Sequence, residues 1–234
     1  GPISAYGEHG AIVHYSADEK SNVPLKEGKL FMTDTGGHYL EGSTDITRTV
    51  ALGEVGNIEK EHFTLVARAM LRLAKTVFLY GCSGANLDCI AREVFWKEGL
   101  NFNHGTGHGV GYLLNIHEGP INFRWKEGER PAPALEENMV ITDEPGIYIE
   151  GSHGIRLENE LLVRKTVKNE YGQFMNFEIL TYVPIDLDAI LPEKMSTEEK
   201  EMLNHYHKQV YEKVSPYLSE EERIWLKEYT RAVK

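Results

Sequence analysis

Two stretches in the middle of the chain carry apolar residues at helical spacing. In the first, Asn57 can cap a helix that runs to about Tyr80, where Gly81 supplies a stop. A second helix is predicted from Asn86 to Glu98. The two apolar faces consist of Phe63, Val66, Ala67, Met70, Leu73, Ala74 and Val77, and of Leu87, Ile90, Ala91, Val94 and Phe95.

Short apolar runs on both sides of this helix pair predict strands. They are 11–13, 30–32 and 46–52 before the helices, and 139–142, 147–149, 155–163 and 177–183 after them. Gly36 and Gly37 are expected to form a turn in the first group, and residues 119–138, rich in Pro, Gly and charge, a loop. The pattern therefore predicts an α/β (α+β) chain whose strands form hairpins.

The end of the chain is predicted to be helical. Ser196 and Glu199 have the spacing of a capping box, and so do Ser219 and Glu222. We therefore divide the chain into a main domain, 1–184, and a helical extension of the same domain, 185–234.

Charged residues give the chain a formal net charge of −11, from 36 acidic and 25 basic side chains. Surfaces that bind duplex nucleic acid are usually basic, so we expect no nucleic-acid partner. No apolar run approaches the ~20 residues of a membrane span and no signal-peptide pattern opens the chain, so we expect no membrane association.

The two cysteines, Cys82 and Cys89, form no CxxC pair. We expect free thiols in a reducing compartment, which favours the cytoplasm.

The stretch from His104 to His117 combines three histidines with four glycines. Glycine allows positive φ and close approach of other groups, so the stretch predicts a tight platform that points imidazoles into a cleft. Neutral imidazole binds metal ions and titrates near neutral pH. The alternative is a mobile glycine loop with incidental surface histidines.

A set of four acidic residues and one histidine stands at or beside the predicted strands. Carboxylates brought together repel one another and raise one another's pKa values, and two divalent cations would remove that cost. Oxygen-rich ligation with one nitrogen favours Mn²⁺, with Co²⁺ or Zn²⁺ also possible. The candidate metal ligands are Asp34, Asp45, His108, Glu144 and Glu158.

The motifs around these residues resemble those of the "pita-bread" dinuclear metallopeptidases, family M24, which includes methionine aminopeptidases, prolidase and aminopeptidase P. They are MTDTG, STDITRT, GTGHGVG, TDEPGIY and GIRLEN, and they cover nearly the whole chain in order. The resemblance implies a pita-bread fold. This is a curved, mainly antiparallel sheet with helices on its convex face and the metal site on its concave side.

The resemblance extends to the proline-directed members. His14 lies twenty residues before Asp34, and 177–185, 203–207 and 225–226 are similar to the C-terminus of the large three-domain aminopeptidase P enzymes. This implies release of the N-terminal residue from peptides with proline in the second position. Prolidase shares the ligands but is not expected to carry this tail. A methionine aminopeptidase and a metal-free binding module on the same fold are two further hypotheses.

The resemblance also implies roles for the metal ligands. Asp34 would bind one metal, His108 and Glu144 the other, and Asp45 and Glu158 would bridge the two. A hydroxide shared by the metals would attack the scissile carbonyl, and Glu144 would carry the proton.

Further residues are implied in the surroundings of the metals. His14, His104 and His117 would line the substrate groove. Arg156 would orient a ligand carboxylate, and Thr47 would do the same for Asp45.

The two halves of the sequence are unequal. A helix pair precedes the hairpin of Glu144 and Glu158, whereas none precedes the hairpin of Asp34 and Asp45. Family members carry more catalytic-domain sequence before the position of Ile3, and the subgroup has two further N-terminal domains. We therefore expect an apolar sheet face covered by the missing N-terminal sequence or by a second copy, and a homodimer.

Overall fold

The computed structural model describes residues 1–113, 115–126 and 132–234. Within these ranges the strands are β1 (Ile3–Tyr6), β2 (Lys29–His38), β3 (Ser43–Leu52), β4 (Phe78–Leu79), β5 (Gly107–Val110), β6 (His117–Phe123), β7 (Val140–Asp143), β8 (Gly146–Ile149), β9 (His153–Arg156), β10 (Asn159–Asn169) and β11 (Gly172–Ile179). The α-helices are α1 (Asn57–Ala74), α2 (Gly84–Lys97), α3 (Thr197–Val214) and α4 (Glu220–Tyr229). None of these helices is long and apolar enough to cross a membrane.

The described strands form three groups, and every pairing in them is antiparallel. β1, β2 and β3 form a three-stranded sheet in that order. Six strands follow the order β4-β11-β10-β7-β5-β6, and β8 and β9 make a separate hairpin. This agrees with the prediction of mainly antiparallel hairpins.

The main core lies between the six-stranded group and the helices. Phe63, Val66 and Met70 on α1 are fully buried, as are Leu161 on β10 and Leu203 on α3. The C-terminal helices thus bury apolar side chains in the same core as the strands. The three-stranded sheet adds a second, small cluster, which consists of Ala5, Tyr15, Met32 and the partly buried Ile3.

The start of the chain differs from the prediction. Residues Gly7–Ala11 form a 3-10 helix, and the segment 11–13 is not a strand; the first strand is Ile3–Tyr6. Gly10 explains the difference, because it packs directly on Gly154 of β9. A Cβ atom on Gly154 would lie 1.7 Å from the Gly10 carbonyl oxygen, so the two backbones touch where side chains are absent.

The predicted turn at Gly36 and Gly37 is also wrong. β2 continues through both glycines, which pair with Asp45 and Thr44 of β3. The strands pack so closely there that a Cβ atom on Gly36 would lie 2.1 Å from the Thr44 carbonyl oxygen. The glycines therefore serve close strand packing, and the chain reverses between His38 and Ser43.

Other predicted boundaries shift. α1 ends at Ala74 rather than Tyr80, because Phe78 and Leu79 pair with β11. The segment 155–163 is divided into β9 and β10, the strand at 177–183 ends at Ile179, and β6 occupies the start of the predicted loop 119–138. Residues 127–131 of that loop lie outside the described ranges.

Both predicted capping boxes are confirmed, at Ser196 and at Ser219. The helix that the first one opens, α3, attaches to the sheet region through two buried polar residues. The Tyr206 hydroxyl lies 2.8 Å from Nη2 of Arg48, and the Ile185 backbone N–H donates to Nε2 of His207 at 3.0 Å. Since Nε2 accepts this bond, the ring of His207 is neutral with its proton on Nδ1.

Burial lowers the pKa of His207 to about 4, and the charge of Arg48 adds to this effect. The folded pKa lies below the ordinary value of 6.5, so the unfolded chain binds the proton more readily. The contribution of neutral His207 to the free energy of unfolding is therefore fully present above pH ~6.5 and is lost as the pH falls towards ~4.

His207→Gln keeps a hydrogen-bond acceptor but does not titrate. Between pH 7 and 5 the free energy of unfolding of this variant should fall by about 2 kcal/mol less than that of the unmodified chain.

Urea unfolding at a series of pH values measures this loss. His205→Gln, on the exposed side of the same helix, should leave most of the pH dependence in place. Equal pH dependence in His207→Gln and the unmodified chain would contradict the assignment.

Candidate metal centre

A cleft of about 780 Å³ opens where the three-stranded sheet, the β8–β9 hairpin and the strands β5 and β6 meet. Its lining contains every site residue named from the sequence, except for Thr47, which lies beneath it. Those lining residues are His14, Asp34, Asp45, His104, His108, His117, Glu144, Arg156 and Glu158.

Strand register accounts for the placing of the acidic side chains. In the β2–β3 hairpin Asp34 pairs with Thr47, and Asp45 pairs with Gly36, so both acids lie on neighbouring strands. Glu144 directly follows β7, and Glu158 occupies the break between β9 and β10. The Glu158 backbone N–H donates to the Thr47 carbonyl at 3.0 Å, which ties this break to β3.

The five candidate metal ligands converge. Ligand atoms of His108, Glu144 and Glu158 lie within 4.8 Å of one another, and so do those of Asp34, Asp45 and Glu158. Glu158 belongs to both groups, and ligand atoms of Asp45, His108 and His117 form a third group within the same distance. Nε2 of His108 lies 3.5 Å from Oδ2 of Asp45 and 3.5 Å from Oε1 of Glu144, which connects the groups further.

Burial and mutual repulsion make this cluster costly for the carboxylates. Burial raises the pKa of Glu158 well above its ordinary value, and the charges of Glu144, Asp45 and Asp34 raise it further. Burial also raises the pKa of Glu144 to about 7, although His108 and Arg156 oppose the rise. Cations among these oxygens would favour the ionised forms.

Three polar residues hold the carboxylates. Nη2 of Arg156 donates to Oδ2 of Asp34 at 2.6 Å. The Thr47 hydroxyl donates to Oε2 of Glu158 at 2.8 Å, so its expected partner, Asp45, is wrong. The Thr142 hydroxyl lies 3.0 Å from Oε1 of Glu144, which it can bond as donor.

Three histidines stand around the carboxylates. The ring of His117 lies against that of His108, with centroids 3.9 Å apart. Nε2 of His104 lies 2.8 Å from the Tyr148 hydroxyl, and burial lowers the pKa of His104 to about 4, so its ring is neutral at pH 7. His14 lines the cleft beyond Val13, whose carbonyl accepts a 3.4 Å hydrogen bond from Arg156.

Sequence reasoning missed Tyr148, Thr142 and Glu160. The Tyr148 hydroxyl also accepts a 2.9 Å bond from Nη1 of Arg156, and Oε1 of Glu160 accepts the Asp45 backbone N–H at 2.8 Å. In the sequence these residues read as ordinary members of strands. Only the pairing of β8 with β9, and of β10 with β7, brings them to the site.

Comparison with known proteins agrees with this geometry. Residues 1–165 match metallopeptidase family M24, and residues 173–233 match the C-terminal region of peptidase M24. The chain belongs to metallopeptidase family M24. The pita-bread fold expected from the sequence motifs is confirmed, with a curled antiparallel sheet and four helices in the described ranges.

Three members of the M24 family illustrate the similarity. A probable Xaa-Pro aminopeptidase P from Paracoccidioides brasiliensis is 39% identical over an alignment of 236 positions, which covers 99% of this chain and 38% of the relative. The crystal structure of an X-prolyl aminopeptidase from Caenorhabditis elegans, a cytosolic enzyme with a di-nuclear active site, superposes with a TM-score of 0.92 at 36% identity, over 99% of this chain and 38% of that one. An Xaa-Pro dipeptidase from Bacillus anthracis gives a TM-score of 0.63 at 34% identity, over 80% of this chain and 47% of that one.

The contact between Thr47 and Glu158 yields a testable prediction for this M24 chain. Thr47→Val removes the hydroxyl that donates to Glu158 and accepts from Nε of Arg156 at 3.1 Å. Loss of such a supporting bond should weaken Mn²⁺ binding about 10–100-fold, as measured by titration calorimetry. Thr47→Ser keeps the hydroxyl and should bind as the unmodified chain does; the same affinity in both variants would show that the hydroxyl does not hold the ligand.

Proposed function

We propose that this chain is the catalytic part of a metal-dependent aminopeptidase that releases the N-terminal residue from peptides with proline in the second position. The observation that carries the proposal is the convergence of five metal-binding side chains in two groups that share Glu158. The names of the relatives that match 99% of the chain support the choice of substrate. The chain spans 38% of the length of those relatives.

The donor set fits two divalent cations. Asp34 and Asp45 would hold one ion, His108 and Glu144 the other, and Glu158 would be shared, with Asp45 as the second bridging carboxylate. Four acidic side chains would balance the charge of two such ions, which would also relieve the repulsion that raises the pKa of Glu158. Oxygen donors with a single imidazole favour Mn²⁺ over Co²⁺ and Zn²⁺.

The side chains of the cleft supply the remaining functions. Divalent ions held by these ligands would supply an activated water near neutral pH and polarisation of the scissile carbonyl. The carboxylate of Glu144 takes up the proton that the attacking water loses and passes it to the leaving nitrogen. His117 would donate to the oxygen on which negative charge develops. His104, whose Nδ1 lies 2.7 Å from the Gly105 carbonyl oxygen and whose Nε2 lies 2.8 Å from the Tyr148 hydroxyl, would line the substrate groove together with His14.

The tail of the chain favours an aminopeptidase over a prolidase, the second candidate. The Caenorhabditis elegans structure covers 99% of the chain, whereas the dipeptidase from Bacillus anthracis covers 80%. The match to the C-terminal region of peptidase M24, at 173–233, includes α3 and α4. A metal-free binding module is disfavoured because the five ligand residues are all present.

Several features of the whole protein are part of the proposal. We propose that residues 1–184 act as the catalytic domain and 185–234 as its helical extension. A homodimer, a cytoplasmic location like that named for the Caenorhabditis elegans enzyme, and the N-terminal domains expected from the family resemblance stay predictions.

The substrate is tested with matched peptides. With added Mn²⁺, the purified protein should release the first residue of Xaa-Pro-Yaa tripeptides and leave Xaa-Pro dipeptides and Xaa-Ala-Yaa tripeptides largely intact. Product release is followed by chromatography. Preferential hydrolysis of the dipeptides would indicate a prolidase, and no hydrolysis at any metal concentration would overturn the proposed function.

The metal ligands are tested by charge-neutral variants of similar shape. Asp45→Asn and Glu158→Gln should each lose activity below detection, because a bridging carboxylate is lost, while the melting temperature of the metal-free protein changes little. His117→Ala should lower kcat by about 10²–10³-fold and retain both metals in elemental analysis. Release of a metal from His117→Ala would make His117 a ligand, and full activity in either of the other variants would contradict the assignment.

A further inference from the structure

A buried ion pair stands on the side of α2 that faces the glycine-rich stretch. Asp88 is 0% and Arg92 1% exposed, and Nε of Arg92 lies 2.5 Å from Oδ2 of Asp88. A buried pair must recover a large desolvation cost, and it does so only with well-aligned hydrogen bonds. Among the residues that the structure describes, the remaining hydrogen bonds of these two side chains go to the segment 101–106.

Arg92 holds the first part of this segment. Nη1 donates to the Phe102 carbonyl at 2.7 Å and to Oδ1 of Asn101 at 3.1 Å, and Nη2 donates to the His104 carbonyl at 2.7 Å. The guanidinium also stacks on the Phe102 ring, 4.0 Å from its centroid. The planar fork of arginine therefore fixes the backbone at the residue whose ring reaches Tyr148.

Asp88 holds the second part. Its Oδ1 accepts a short hydrogen bond from the Thr106 hydroxyl. The backbone of Thr106 in turn accepts the Glu144 N–H at 2.8 Å and donates to the Phe123 carbonyl at 2.8 Å. A continuous set of contacts thus leads from α2 to Glu144.

We propose that the Asp88–Arg92 pair is a positioning element of this site, because it fixes the backbone that places His104 and, through Thr106, Glu144. The consequence for catalysis rests on the proposed function; the effect on geometry does not. Glycines at 105 and 107 flank Thr106, so the segment has no apolar anchor of its own there. A buried ion pair with a purely structural role can be replaced by packed apolar side chains at little cost in stability. Here the remaining donors of Arg92 and the second carboxylate oxygen of Asp88 bond the segment 101–106, which apolar side chains could not do.

The first test is Arg92→Lys, which keeps the charge and removes the fork. The control is Glu93→Gln, the next residue on α2, whose carboxylate bonds Arg72 at the exposed surface. In metal-free protein the ring NMR resonances of His104, assigned with His104→Ala, should move in Arg92→Lys and stay in Glu93→Gln. With substrate, kcat should fall about 10–100-fold with a smaller change in KM, because a displacement of about 1 Å within a catalytic site costs up to about 100-fold in rate.

A double variant separates positioning from general damage. If Arg92 acts through His104, Arg92→Lys should cost much less kcat in a His104→Ala background than in the unmodified chain. Equal cost in both backgrounds, with unchanged His104 resonances, would overturn the proposal for His104.

Thr106→Val tests the contacts that lead from Asp88 to Glu144, and it keeps the proposal testable if Arg92→Lys does not fold. The variant lacks the hydroxyl that donates a hydrogen bond to Asp88. Displacement of Glu144 should then weaken Mn²⁺ binding, measured by calorimetry, about 10–100-fold. Thr106→Ser should restore the affinity. Equal Mn²⁺ affinity of the Val and Ser variants would overturn the proposal that Asp88 positions Glu144 through Thr106.

If the unmodified protein cleaves no Xaa-Pro peptide, the proposed function fails, while the NMR and metal-binding results still decide the positioning role.

Discussion

The structure depends on one electrostatic constraint, the gathering of four carboxylates and an imidazole in a partly buried cleft. Glu158 bears the largest cost, being 1% exposed and surrounded by other acids. Three hydroxyl or guanidinium groups bond the cluster, at Asp34, Glu144 and Glu158. They orient the acids but supply only one full positive charge, that of Arg156, so the site is built for charge that must come from bound cations.

Two buried arginines connect this cluster to the rest of the fold. Arg92 fixes the segment before His108 from the side of α2. Arg48 donates to the Glu158 carbonyl at 2.5 Å through Nη1, and to the Val183 carbonyl and the Tyr206 hydroxyl through Nη2. Arg48 thereby links Tyr206 of helix α3 to the backbone of Glu158, a candidate metal ligand. Besides filling the core, the C-terminal helical extension therefore helps to fix the backbone at the site.

Much of the site could be predicted from the sequence, because each candidate metal ligand lies in a short motif on one strand or strand end. What could not be predicted arises between elements. The expected partner of Thr47 was wrong because the break after β9 brings Glu158, not Asp45, to its hydroxyl. Tyr148 was missed because a tyrosine in a strand resembles a core residue. The turn at Gly36 was misplaced because small residues also serve close strand pairing, which no local pattern reveals.

The most direct test of the shared-carboxylate centre is the location of the metals. A crystal structure of the protein grown with Mn²⁺ should show two anomalous difference peaks in the cleft, one among His108, Glu144 and Glu158 and the other among Asp34, Asp45 and Glu158. The two peaks should lie roughly 3.5–4 Å apart, as in other two-metal hydrolases. A single peak, or a strong peak that Glu158 does not touch, would contradict the shared role of Glu158, from which the proposed mechanism follows.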